Sequence, residues 1–177
     1  GLGDVYKRQV TDMFYTYQDI AVKDREESQN YDCILKRGVT VLQLNCRQEP
    51  CPDYMKSFKC TITGNCGNVF NPTTGHCPQK TTLTRIYDIS GDQLTGKRIT
   101  FSIYFFLGAD NVSDITLTTL STDTADKVVK SLSFENVHMV KGKMTIYKGP
   151  FLSTHSSASF IIDSPTIPDS GFSTEFE

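Results

Sequence analysis

The chain has 177 residues and a formal charge of −2, with 18 Lys and Arg against 20 Asp and Glu. That length suits one domain and is enough to bury a real core. The basic residues are scattered, without the concentrated footprint that binding a phosphate backbone requires, and no apolar run reaches the roughly 18 residues of a membrane-spanning helix.

Residues 1–9, GLGDVYKRQ, read as a translated sequencing adapter and stand outside fold reasoning. On that reading the native chain starts near Val10, and its own N-terminus, with any signal segment, is missing. Residues 10–30 are then the remnant of an N-terminal part, with a strand over 13–22 and a charged loop over 23–30.

Residues 31–163 are the expected sandwich domain. A long strand covers 31–45, broken at Gly38, with Cys33 as a small buried thiol beside Tyr31 and Leu35. Two prolines make 48–53 a turn. A strand over 55–63 stops at Gly64, and Cys60 sits in it as Cys33 does in its own strand. An irregular loop (65–79), a strand (81–89) and a turn (90–96) follow. Residues 97–107 form the most apolar strand, with Ile99, Phe101, Ile103 and Phe105 on one face and Tyr104 and Phe106 on the other. A strand over 114–120 leads to a polar turn over 121–127. Residues 128–151 read as two strands folded into a half-buried antiparallel hairpin, closed by Lys141-Gly142-Lys143, with Leu132 and Phe134 facing inward and Ser131 and Ser133 outward. A last strand covers 158–163, and 164–177 is a loose tail of prolines, serines and acids. These are about nine short strands separated by turn signals with no amphipathic helix, so the fold class is all-β, an antiparallel sandwich.

The six cysteines, at 33, 46, 51, 60, 66 and 77, fall in one third of the chain. Cys46 and Cys51 bracket the turn RQEP, and Cys66 and Cys77 flank a Gly/Asn/Pro/Thr loop. These two brackets are the disulfide candidates, and at least one is expected to form in an oxidising compartment. Cys60, Cys66, His76 and Cys77 are zinc-ligand types, but C-x5-C-x9-H-C is no usual knuckle spacing, and adjacent His76 and Cys77 point apart in an extended chain. No metal and no cofactor is expected. The three histidines, His76, His138 and His155, accompany no nucleophile elbow or oxyanion motif, so no catalytic residue is assigned and the chain is not read as an enzyme. Tyr15, Tyr17, Tyr104 and Tyr147 are the aromatics that a sugar site would use, although the chain has no tryptophan.

Three segments carry a family resemblance. FENV followed by KGKMTIYKGPF, within 134–151, resembles the C-terminal signature of the fimbrillin-like surface proteins of Bacteroidales bacteria. CILKRGVTVLQL (33–44) is similar to a strand of that family, and CTITGNCGNVFNPTTGHC (60–77) is similar to one of its loops. The resemblance implies a transthyretin-like Greek-key sandwich. It implies a structural and adhesive subunit of a fimbria, as stalk, tip or anchor, at the cell surface and outer membrane. Its partners would be other fimbrial subunits and a host or bacterial surface ligand, with no nucleic acid. It would touch the membrane only through a lipoprotein anchor on the missing part. Asp123-Thr124-Ala125 resembles the short O-glycosylation site of these bacteria, which makes Thr124 the glycosylation candidate.

The same resemblance implies assembly by strand donation, with Phe160 and Ile162 in the last strand and Phe172 and Phe176 in the tail as plugging side chains. The alternative is that residues 159–163 close their own sheet. The competing function class is a surface glycan-binding β-sandwich module.

Overall fold

The computed structural model describes residues 10–21, 28, 30–153, 160–165 and 167, and the backbone of 175–176. The adapter-like residues 1–9, His155 and Phe172 lie outside them. Twelve strands and no helix occur among the described residues: β1 (Phe14–Tyr15), β2 (Lys36–Arg37), β3 (Thr40–Asn45), β4 (Met55–Thr63), β5 (Cys66–Gly67), β6 (Leu83–Asp88), β7 (Ile99–Leu107), β8 (Asn111–Asp123), β9 (Val128–Val140), β10 (Met144–Lys148), β11 (Ile161–Asp163) and β12 (Glu175–Phe176). The chain is all-β, a sandwich of two main sheets. One has four strands in the order β6-β4-β8-β9. The other runs β11-β10-β3-β7-β12, with β5 also on β7. β1 and β2 form a separate two-residue pair.

Alternation builds the core between the sheets. In β4, Phe58, Cys60 and Ile62 point inward while Lys59 is exposed. From the other sheet, Ile99, Phe101, Ile103 and Phe105 meet them as expected. Phe58 stacks on Phe101 with ring centroids 4.7 Å apart. Each fully buried phenylalanine contributes about 1.5–3 kcal/mol of transfer free energy.

The six-stranded sheet is covered on its outer face as well. Val39, Val41, Tyr104, Phe106, Met144 and Ile146 form a second buried cluster there, against which Val10, Met13 and Phe70 pack. Two bonds from Arg37 to the Asp12 carboxylate, 2.9 Å each, and one from Gly38 N–H to the Met13 carbonyl hold the covering segment. Residues 10–15, expected as the remnant of a separate part, are therefore packed on the sandwich. Ile167, expected in a loose tail, is buried in the same cluster.

Three local expectations are corrected. The strand expected over 13–22 is a strand only at Phe14–Tyr15. Cys33 is exposed, because β2 begins at Lys36 and residues 31–35 lie on the surface; its thiol faces Gln18 Oε1 at 3.7 Å. The hairpin expected over 128–151 does not form. β9 pairs antiparallel with β8 in one sheet, and β10 pairs parallel with β3 in the other. The 141–143 turn thus carries the chain between sheets. Asn136, at φ 54°, shifts the phase of β9: Leu132 and Phe134 are partly buried inward before it, and Val137 and Met139 are buried after it.

Candidate functional site

β7 is central and apolar, and its two backbone edges differ. Cys46 N–H bonds to the Ile99 carbonyl, so Ile99, Phe101, Ile103 and Phe105 direct their backbone groups toward β3 and the residue that follows it. The even-numbered residues direct theirs the other way. Among the described residues no single strand runs along that outer edge. Thr100 faces Glu175 of β12, Tyr104 makes an isolated bridge with Val10, and Phe106 faces Gly67 of β5. Gly108 N–H continues the β5 side with a 2.9 Å bond to the Asn65 carbonyl. Among the described residues, three separate pieces of chain thus share the edge of one nine-residue strand.

The opposite border of this sheet is β11. It pairs with β10 over three residues, Ile146↔Asp163 to Lys148↔Ile161. The last strand therefore closes its own sheet, the alternative weighed from the sequence. Phe160 is half-buried in the chain's own core, with its ring centroid 4.8 Å from that of Phe151 and 5.0 Å from that of Phe134. A β-carbon at Gly149 would collide with the Phe160 ring, so only glycine admits it. Within the single chain Phe160 thus fills its own core. Ile162 is 59 % exposed and Ile161 57 %, an apolar border of the kind that invites another strand. Phe176 lies in β12, paired with Ile99.

The expected disulfides are absent: all six cysteines are free. Cys66 belongs to the core between the sheets and Cys77 to the outer cluster, so their side chains lie on opposite faces of the sheet. Cys46 and Cys51 both reach the inner core. There the Cys46 thiol donates to the Leu44 carbonyl at 3.8 Å, and the Cys51 thiol to the carbonyls of Pro52 and Ile89 at 3.7 Å. Burial pushes the Cys51 thiol up to about 11 and that of Cys66 up to about 12. Burial also raises Cys46, with the nearby Cys60 adding to it, and raises Cys60. These are inert core thiols, not nucleophiles.

Among the described residues no three His, Cys, Asp or Glu side chains come together as a metal site. His138 is exposed on β9. His76 Nε2 stands 3.7 Å from Asp110 Oδ1. Thr124 is exposed at the tip of the β8–β9 hairpin, where Asp123 Oδ1 accepts the N–H groups of Ala125 and Lys127, each at 2.9 Å.

Of the four tyrosines considered for a sugar site, Tyr104 and Tyr147 are core residues. Tyr15 and Tyr17 line a cleft of about 220 Å³ together with Lys36, Thr73, Thr74 and Gly75. Lys141 ties two of its walls together: Nζ donates to Asp110 at 2.8 Å, to the Tyr15 hydroxyl at 3.2 Å and to the Gly75 carbonyl at 3.3 Å. Burial would lower the Lys141 pKa, but the bonds to Asp110 and Tyr15 outweigh it and leave it raised. The bond from Lys141 holds the Asp110 carboxyl below its ordinary range. No family model matches the chain, and no curated protein or solved structure matches it.

Proposed function

We propose that this chain is a structural and adhesive subunit of a bacterial surface fimbria, acting at the outer membrane as a stalk, tip or anchor component by strand-to-strand assembly with other subunits. The observation that carries the reading is the outer edge of β7, shared by Val10, β5 and β12. Backbone N–H and C=O groups of a buried strand must be paired. Short pieces do this with few bonds each, and one continuous strand from a neighbouring copy would do it with more. Exchange of an identical segment between copies is a low-cost route to assembly, because each copy makes the contacts that it would make with itself.

The donor in this reading is the chain beyond β11, whose Glu175 and Phe176 already pair with Thr100 and Ile99. The resemblance in 33–44, 60–77 and 134–151 points the same way, and with it to a transthyretin-like Greek-key arrangement of the strands. The test is a chain truncated before Ser164, compared with the full chain by sedimentation over a range of concentrations. Folding is checked by circular dichroism. Loss of association in a folded truncation supports the reading, and unchanged association overturns it.

A further inference from the structure

We propose that the cleft between residues 15–17 and the 72–75 loop binds a single sugar ring that carries a carboxylate. This inference supplies the adhesive half of the function above and rests on that reading only for its biological setting. Its chemistry is independent of strand assembly.

Size sets the first limit. A cleft of about 220 Å³ lies below the roughly 300–1,000 Å³ of pockets that enclose drug-sized ligands. It suits one ring and leaves the rest of a glycan in solvent. The walls set the second. A pyranose has an apolar C–H face that packs flat on an aromatic ring, and a rim of hydroxyls that needs polar partners. Tyr15 and Tyr17 supply the rings, and Tyr17 is 54 % exposed. The hydroxyls of Thr16 and Thr73 line the same cleft and hold no partner among the described residues.

Charge gives the class of sugar. Among the described residues Lys36 is the only charged side chain lining the cleft; it is exposed and forms no ion pair, and its charge also acts on the Asp110 carboxylate. The other lysine near it, Lys141, is already neutralised by Asp110. Asp19 accepts the Tyr17 hydroxyl at 3.3 Å but does not line the cleft. An exposed ammonium with no carboxylate in contact, beside hydroxyls and aromatic rings, selects a carboxylate over a neutral substituent.

The site is built before any ligand arrives. The Tyr15 ring sits edge-on to Phe70, centroids 4.7 Å apart, and its hydroxyl is held by Lys141. The facing loop is a closed turn. Thr73 N–H bonds to Asn71 Oδ1 at 2.9 Å, Gly75 N–H to the Asn71 carbonyl at 2.8 Å, and His76 N–H to Thr74 Oγ1 at 3.3 Å. Gly75, at φ 75°, lets the Tyr15 hydroxyl come closer than a β-carbon would permit. Such preorganisation lowers the entropic cost of binding a small ligand.

The test is ligand-observed saturation-transfer NMR on the full chain. The probes are the methyl glycosides of glucuronic acid and N-acetylneuraminic acid, with methyl glucoside as the neutral control. We expect transfer to at least one acidic sugar and none to the neutral one. Lys36→Gln should weaken that binding roughly tenfold or more, the size of a lost charge-assisted hydrogen bond. Tyr17→Ala should weaken it too. Both side chains are exposed, so both variants should melt as the parent does. Absence of transfer from both acidic sugars, an equal response to the neutral sugar, or undiminished binding in Lys36→Gln would each overturn the proposal. Sedimentation of the same variants keeps the two readings apart, since Lys36→Gln should assemble as the parent does.

Discussion

Five of the six thiols are buried and one is not, so chemical reactivity should sort them cleanly. Cys33 is exposed, while Cys46, Cys51, Cys60, Cys66 and Cys77 are buried. Brief alkylation of the native protein should modify Cys33 alone, and peptide mass mapping would read this directly. Rapid labelling of Cys51 or Cys66 would mean that the core opens far more readily than its packing implies. The same thiols make stability depend on pH. Burial raises Cys51 to about 11 and Cys66 to about 12, above the ordinary thiol value of 9.0. Below about pH 9 both folded and unfolded chains keep these protons, and the full contribution is present. As pH climbs, the unfolded thiols ionise first and favour the unfolded state, so stability is lost progressively up to about pH 12. Urea midpoints should be level near neutrality and fall above about pH 9.

At the scale of elements, one residue makes most of the side-chain polar contacts that hold the covering segment 10–15. Arg37 grips Asp12 with two bonds of 2.9 Å, lies over the Phe14 ring at 4.7 Å, and donates to the Ile167 carbonyl at 3.2 Å. Replacing it with Met keeps its apolar stem and removes these donors, at a cost of about 1–3 kcal/mol. Limited proteolysis should then cut near residues 10–21 well before the sandwich itself is attacked. Equal protection in Arg37→Met and the parent would show that packing of Val10 and Met13 suffices.

What was readable in advance follows the same scale. β4 and β7 were legible because strict alternation of large apolar residues needs only one face to be buried. The hairpin over 128–151 misled for a local reason. Lys141-Gly142-Lys143 has the chemistry of a tight turn, and turn chemistry cannot say whether the next strand pairs with its neighbour or crosses to another sheet. The choice was made by β3, a hundred residues earlier, which takes β10 as a parallel partner. Met144, Thr145, Ile146 and Tyr147 are all buried, the burial expected of a parallel strand covered on both faces. The Cys66–Cys77 expectation failed likewise, since spacing gives separation along the chain but not the face on which a side chain lies. Tyr15 and Tyr17 stood out as ring residues, whereas Lys36 and Thr73 reach the cleft only through the fold.

For the whole molecule, assembly through the outer edge of β7 makes a prediction that depends on residue parity. Ser102 lies opposite Gln43 in a pair whose backbone groups point away from each other, so its N–H faces the outer edge. Ile103 lies opposite Leu42 and directs its N–H at β3. Proline removes the N–H at either position, and a strand tolerates it only where that group is not needed for pairing. Ser102→Pro should therefore fold, at a modest loss of stability, and lose the ability to accept a strand from a neighbour. Ile103→Pro should lose a ladder bond and a core side chain together and fail to fold. Thermal melts monitored by circular dichroism separate the two variants, and sedimentation over a concentration series reads association in the one that folds. A folded Ser102→Pro that associates as strongly as the parent would remove this edge from the assembly mechanism. Assembly would then fall to the other border, where Ile161 and Ile162 stand exposed on β11, and lysine at those two positions should abolish it.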